Sequence, residues 1–172
     1  MDRLTAVEQS IFMEAGLSEL FSVFATSFYT MPAAQAFWEK MARAEANHAL
    51  LLEFEKWRLV REELDGPGIR YDDPALIRQM KRLDDLRASI VHPPDLKQSI
   101  SIALKAENMA LDFHNDRIFI EQFGVSDRVI SHLVAAEDLH REALEKLAAA
   151  PDPGVALADV DLDALDQPPP EA

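Results

Sequence analysis

Apolar residues recur at three- and four-residue spacing along most of the chain, and four of the resulting stripes are long enough for extended helices. The first runs through Leu4, Val7, Ile11, Leu17, Phe21, Phe24 and Phe28. It is expected to begin near Thr5, whose spacing to Glu8 suits a capping box, and to end at about Tyr29. Pro32 suits the first turn of a second helix, since its missing N–H has no partner there anyway. That helix carries Phe37, Met41, Ala44, Leu51 and Leu52 and runs to Leu64, before "DGPG" at 65–68. A shorter amphipathic helix follows from about Pro74 to Ile90, with Ile77, Met80, Leu83 and Ile90 on one side. "HPPD" at 92–95 opens a third long helix, capped by Asp95 with Gln98 three residues on. Its stripe is Ile100, Ala103, Ala110, Leu111 and Ile118. Gly124 and Ser126 separate it from a fourth, with Ile130, Leu133, Leu144 and Leu147, which ends before Pro151. No stretch sustains strand alternation, so the chain is expected to be all-α.

Each long stripe is interrupted by a carboxylate where an apolar residue belongs: Glu14, Glu45, Glu107 and Glu137. Two are followed three residues later by a histidine, His48 and His140. The set is duplicated, with offsets of 93, 92 and 92 residues from Glu14, Glu45 and His48 to Glu107, Glu137 and His140. Burying an uncompensated carboxylate costs several kcal/mol, and no Lys or Arg lies on the inner stripes near these levels. Positions i and i+3 share a helix face, so a Glu and a His of one helix can reach a single ion. One Glu from each of two helices and Glu-x-x-His from each of the other two form the ligand set of dinuclear carboxylate bundles. Two divalent ions would neutralise four carboxylates. With one imidazole per metal, iron fits, manganese is possible, and zinc fits less well.

Composition narrows the picture. The 172 residues include no cysteine, which excludes disulfides, thiolate metal sites and thiol nucleophiles. A net charge of −14 argues against a nucleic-acid partner. Residues 20–38 are uncharged but broken by Pro32 and several Ser and Thr, so no membrane span is expected. "MDRLTAVEQS" lacks the basic and apolar regions of a secretion signal, and a cytoplasmic location is expected. Six of the 31 acidic residues fall in 151–172, which contain no Lys or Arg. This divides the chain into a helical domain, 1–150, and an acidic, proline-rich tail, 151–172, expected to be disordered. "VALADVDLDAL" within that tail is a run able to dock.

"IFMEAGLSELF", "FWEKMARAEANHALLL", "IALKAENMALDFH" and "LVAAEDLHREAL" resemble the four ligand helices of the ferritin-like superfamily, and its rubrerythrin branch most, over about residues 5–149. The resemblance implies a ferritin-like antiparallel four-helix bundle, with the short helix in a long crossover between the second and third long helices. It implies a di-iron centre with Glu14 and Glu107 as terminal ligands, Glu45 and Glu137 bridging, and His48 and His140 serving one metal each. It implies an oxidoreductase that reduces hydrogen peroxide or oxygen with electrons from a separate donor protein. Phe21 and His114 stand where rubrerythrins commonly have tyrosine, and Ala110 where they carry a further carboxylate. Ala46 and Asn47 replace the haem-ligating Met of bacterioferritins, so no haem is expected.

His114 lies two turns from Glu107, about 10 Å along the helix axis. That is too far to join the same ligands, yet within reach of a ligand on a neighbouring helix. It is the candidate catalytic side chain, with a satisfied core histidine as the other reading. His132 and His92 are expected to be structural or solvated, and Asn47 and Asp138 to point outward. Two alternatives to the peroxide or oxygen reductase stay open: a ferroxidase that stores or delivers Fe(II), and an interaction module with structural metals. Leu20 and Val23, outside the inner stripe of the first helix, predict a homodimer through the first two long helices.

Overall fold

The computed structural model describes residues 3–62, 74–90, 94–114 and 127–166, and no strand occurs among them. Helices α1 (Arg3–Ser27), α2 (Pro32–Glu62), α3 (Pro74–Ala88), α4 (Leu96–His114), α5 (Asp127–Ala149) and α6 (Pro153–Ala156) are followed by single turns at Leu157–Asp159 and Ala164–Asp166. The expectations for "DGPG" at 65–68, His92, Ile118, Gly124 and Ser126, and for the side chains of Leu4, Ile77 and Met80, lie outside the described residues.

α1 and α2 form an antiparallel hairpin. Ser18 Oγ donates to the Ala42 carbonyl at 2.8 Å, and Lys56 Nζ lies 2.9 Å from Glu8 Oε1 towards the other end. Phe21, Phe24 and Phe37 pack around Trp38 with ring centroids 4.9–5.7 Å apart, and all four rings are buried. Burying an aromatic of this size contributes about 1.5–3 kcal/mol, which fixes the closed end of the hairpin. α1 already runs through Thr5, so the expected cap position lies inside the helix, and Glu8 pairs with Lys56.

α4 starts as its cap requires, with Asp95 Oδ1 accepting from Gln98 N at 2.7 Å. It packs along α5, while α3 lies across α1. Leu83 of α3 fills the space above Gly16, and the Arg87 guanidinium donates to the Gly16 carbonyl at 3.1 Å and to the Glu19 carboxylate.

Two apolar clusters result. One, with Leu17, the aromatics, Met41, Ile100, Ala103 and Leu144, fills one end; the other, with Val7, Leu52, Leu59, Ile130 and Leu133, fills the opposite end. On α1, α2 and α5 the interrupting Glu and His positions fall between these clusters.

Two expectations are corrected. The stretch 151–166 is not a disordered tail. Asp152 Oδ1 accepts from Gly154 N at 2.9 Å and caps α6, and Leu157 and Leu165, each 4% exposed, join the larger cluster. Residues 167–172 lie outside the described set. Leu20 is fully buried, because α1 is covered on more than its α2 side, whereas Val23 remains 41% exposed. No described helix is long and apolar enough to cross a membrane.

Candidate metal centre

All six residues singled out on the stripes meet in one layer. Glu14, Glu45, Glu107, Glu137 and His140 are fully buried and His48 is 4% exposed. They form two groups of ligand atoms close enough to hold a metal ion: Glu14, Glu45, His48 and Glu137 in one, Glu45, Glu107 and His140 in the other. Glu45 belongs to both. Its Oε2 accepts from His48 Nδ1 at 3.1 Å, and its Oε1 lies 2.7 Å from His140 Nδ1. The two imidazoles stack, with centroids 5.8 Å apart at 23°. Glu137 joins only the His48 group, so its expected place between two metals has no counterpart in this grouping.

The ion partners of the four carboxylates among the described residues are all histidines. His48 Nδ1 is 3.4 Å from Glu14 Oε2, and His140 Nδ1 is 3.5 Å from Glu107 Oε1. His114, fully buried, places Nε2 3.2 Å from Glu14 Oε1 and Nδ1 3.8 Å from Glu137 Oε1. His114 thus reaches a candidate ligand on a neighbouring helix and stands outside both groups. Asn47 is exposed, and Asp138 turns to Arg141 at 2.9 Å.

Electrostatics shows how much this layer lacks. Burial, reinforced by the charge of Glu45, raises Glu14 well above the usual carboxylate range. Burial together with Glu107, Glu14 and Glu45 does the same to Glu137. Burial opposes ionisation of Glu45 as well, but the charges of His140 and His48 outweigh it and hold this carboxyl well below its ordinary value. Burial likewise disfavours the imidazolium of His48, yet Glu45 and Glu14 raise it to about 10; Glu45 and Glu107 raise His140 well above its ordinary value. His114 goes the other way, to about 3, through burial and the charge of His48.

Protons on His48, His140, Glu14 and Glu137 therefore offset the negative charge of the layer. Among the described residues both oxygens of Glu107 and of Glu137 still accept no hydrogen bond, and Glu45 Oε1 and His140 Nδ1 approach without hydrogen-bond geometry. A buried polar atom left in this way costs about 1–3 kcal/mol, more when charged. Oxygen-rich groups with one imidazole each suit divalent ions of the iron and manganese kind. The residues fit a metal.

Two contacts escaped the sequence. His132, half-buried on α5, sets its ring perpendicular to that of His48 at 5.9 Å. His140 Nε2 lies 3.0 Å from the Leu165 carbonyl. His132 stands beside the core stripe, one turn and a residue before Glu137, which was a readable signal. A backbone carbonyl has none. No family model, curated protein or solved structure matches the chain.

Proposed function

We propose that the chain is a ferritin-like, rubrerythrin-like four-helix bundle whose layer of four carboxylates holds two iron ions and reduces hydrogen peroxide or oxygen with electrons from an external donor. The observation that carries this reading is Glu45, whose two oxygens address two different histidines at 3.1 and 2.7 Å. A carboxylate so placed could serve both ions. Glu14 and Glu137 with His48 would complete one site, and Glu107 with His140 the other.

When bound, the iron pair supplies the two electrons the oxidant takes up. The chain's own groups do the rest. His48 and His140 surrender their Nδ1 protons and become neutral donors. His114, held neutral, could relay a proton, taking one up at Nδ1 on the Glu137 side as Nε2 gives one up on the Glu14 side, a role Phe21, with no hydroxyl, cannot share. Burial of all seven side chains keeps bulk water from the layer and strengthens each electrostatic contact.

Metal analysis followed by anaerobic titration of the Fe(II) protein with peroxide and with oxygen tests the reading. Two metals per chain and a faster reaction with peroxide are expected. A faster reaction with oxygen favours the ferroxidase or oxidase, and no reaction within minutes leaves the metals structural. Val23 of α1 and Leu50, Phe54 and Trp57 of α2, exposed by 41, 59, 73 and 70%, support pairing of two copies through these helices. A monomer mass by light scattering at micromolar concentration would overturn that pairing.

A further inference from the structure

We propose that the C-terminal segment is a working part of the metal centre: the Leu165 carbonyl holds the His140 ring with Nδ1 turned towards Glu45 and Glu107. The proposal rests on the metal reading above and assigns to that site a positioning group from outside the four ligand helices.

The argument begins with the atoms. A carbonyl oxygen only accepts, so His140 Nε2, 3.0 Å from it, carries a hydrogen and donates. In the neutral ring the lone pair is then on Nδ1. That atom faces Glu45 Oε1 at 2.7 Å and Glu107 Oε1 at 3.5 Å, the remaining members of its group. Hydrogen bonds of this kind behind a ligating histidine fix tautomer and ring orientation, and their loss typically costs 10–100-fold in metal affinity or activity.

The carbonyl is itself held in place. Asp152 caps α6 at the start of the segment, and the buried Leu157 anchors its middle. Asp161 Oδ1 then accepts from Asp163 N at 3.1 Å and Ala164 N at 3.3 Å, which sets the turn Ala164–Asp166. That turn packs on α2 and α5, with the Leu165 side chain buried in the larger cluster. The docked leucine and the carbonyl behind His140 belong to the same residue, so seating one aims the other. Among the described residues no carbonyl accepts from His48, whose ring instead stands perpendicular to that of His132. Disturbing the segment should therefore affect one metal site of the two.

The test uses the full chain and three variants. Leu165→Asp undocks the turn, Asp161→Ala removes only the two bonds that shape it, and Val155→Asp alters an exposed position of the same segment as a control. In the metal-free protein, nitrogen-15 spectra should show a slowly exchanging His140 Nε2 hydrogen in the wild type and in Val155→Asp. It should be lost in Leu165→Asp and exchange faster in Asp161→Ala. In anaerobic Co(II) titrations, Leu165→Asp should take its first equivalent as the wild type does and its second about 10–100-fold more weakly. Asp161→Ala should shift the second equivalent in the same direction, and it serves alone if Leu165→Asp does not fold. Two wild-type equivalents in both variants, or equally fast Nε2 hydrogen exchange in all four proteins, would overturn the proposal. A wild type that keeps the slow Nε2 hydrogen but takes up neither Co(II) nor Fe(II) supports the contact and overturns the metal reading.

Discussion

His114 and Glu14 meet across the layer from different helices, with Nε2 3.2 Å from Oε1, although His114 belongs to α4 and sits two turns beyond that helix's own Glu107. A ring held neutral distinguishes it from His48 and His140, the other buried histidines, both of which are raised. His114→Phe is expected to keep two metals per chain and to slow peroxide oxidation of the Fe(II) form about 10–100-fold. Stopped-flow absorbance after metal analysis checks both parts. A variant that binds only one metal would make His114 a ligand instead.

The shared place of Glu45 separates it from Glu107. Glu45→Ala removes an oxygen from each group and should abolish binding of both ions, whereas Glu107→Ala should spare the site of Glu14, His48 and Glu137. Metal-to-protein ratios after gel filtration, near zero for the first and near one for the second, are the expected results. Equal losses in the two variants would argue against a bridging role for Glu45.

The protons that replace metal charge predict opposite pH dependences for the two forms of the protein. Folding raises His48 from 6.5 to about 10 and also raises His140, Glu14 and Glu137, so above about pH 6.5, where the lowered His114 and His132 no longer oppose them, the metal-free native state binds more protons than the unfolded chain. Stability rises with pH only where the unfolded state binds more protons, so here it must fall. The His48 contribution is complete below about pH 6.5 and is lost as pH rises through about 10. Glu45, lowered by folding, contributes above its ordinary 4.5 and loses that contribution only in acid. Metal displaces the same protons, so its binding strengthens as pH rises. Thermal unfolding between pH 7 and pH 9 should give a falling Tm for the metal-free protein and a growing increment on adding Mn(II). A metal-free Tm that climbs over this range would contradict the assignment.

The candidate site was legible because its residues break a rule: a carboxylate at the centre of an apolar stripe is visible wherever helical periodicity is strong. Duplication at offsets of 92–93 residues made the set coherent. Features that keep to the rules were misread. Acid-rich composition pointed to solvent for 151–166, but the two leucines that dock it, Leu157 and Leu165, are too few to form a stripe. Leu20 looked like an outer residue because a single helix shows only one favoured face, whereas α1 packs against α2, α3 and α4. The spacing of Thr5 and Glu8 suited a cap at a position where the helix had already begun. The bond from His140 to Leu165 could not be read at all, since every residue carries a carbonyl.

Gly16 offers a test of how α3 is seated. A glycine inside a helix ordinarily loses about 1 kcal/mol relative to alanine, so Gly16→Ala would stabilise an isolated α1. In the folded chain a Cβ on Gly16 would overlap Leu83 Cδ2 and come 3.3 Å from its Cγ. Leu83 is only 6% exposed, and Arg87, one turn on, is bonded to the Gly16 carbonyl, so the leucine cannot yield without shifting α3. Overpacking of this kind costs about 1–3 kcal/mol. Gly16→Ala should therefore lower the denaturation midpoint. Adding Leu83→Ala empties the space that the new methyl group needs, so the double variant should be more stable than the sum of the two single changes predicts. Urea unfolding of the four proteins measures this coupling, and strictly additive effects would show that α3 does not rest on Gly16.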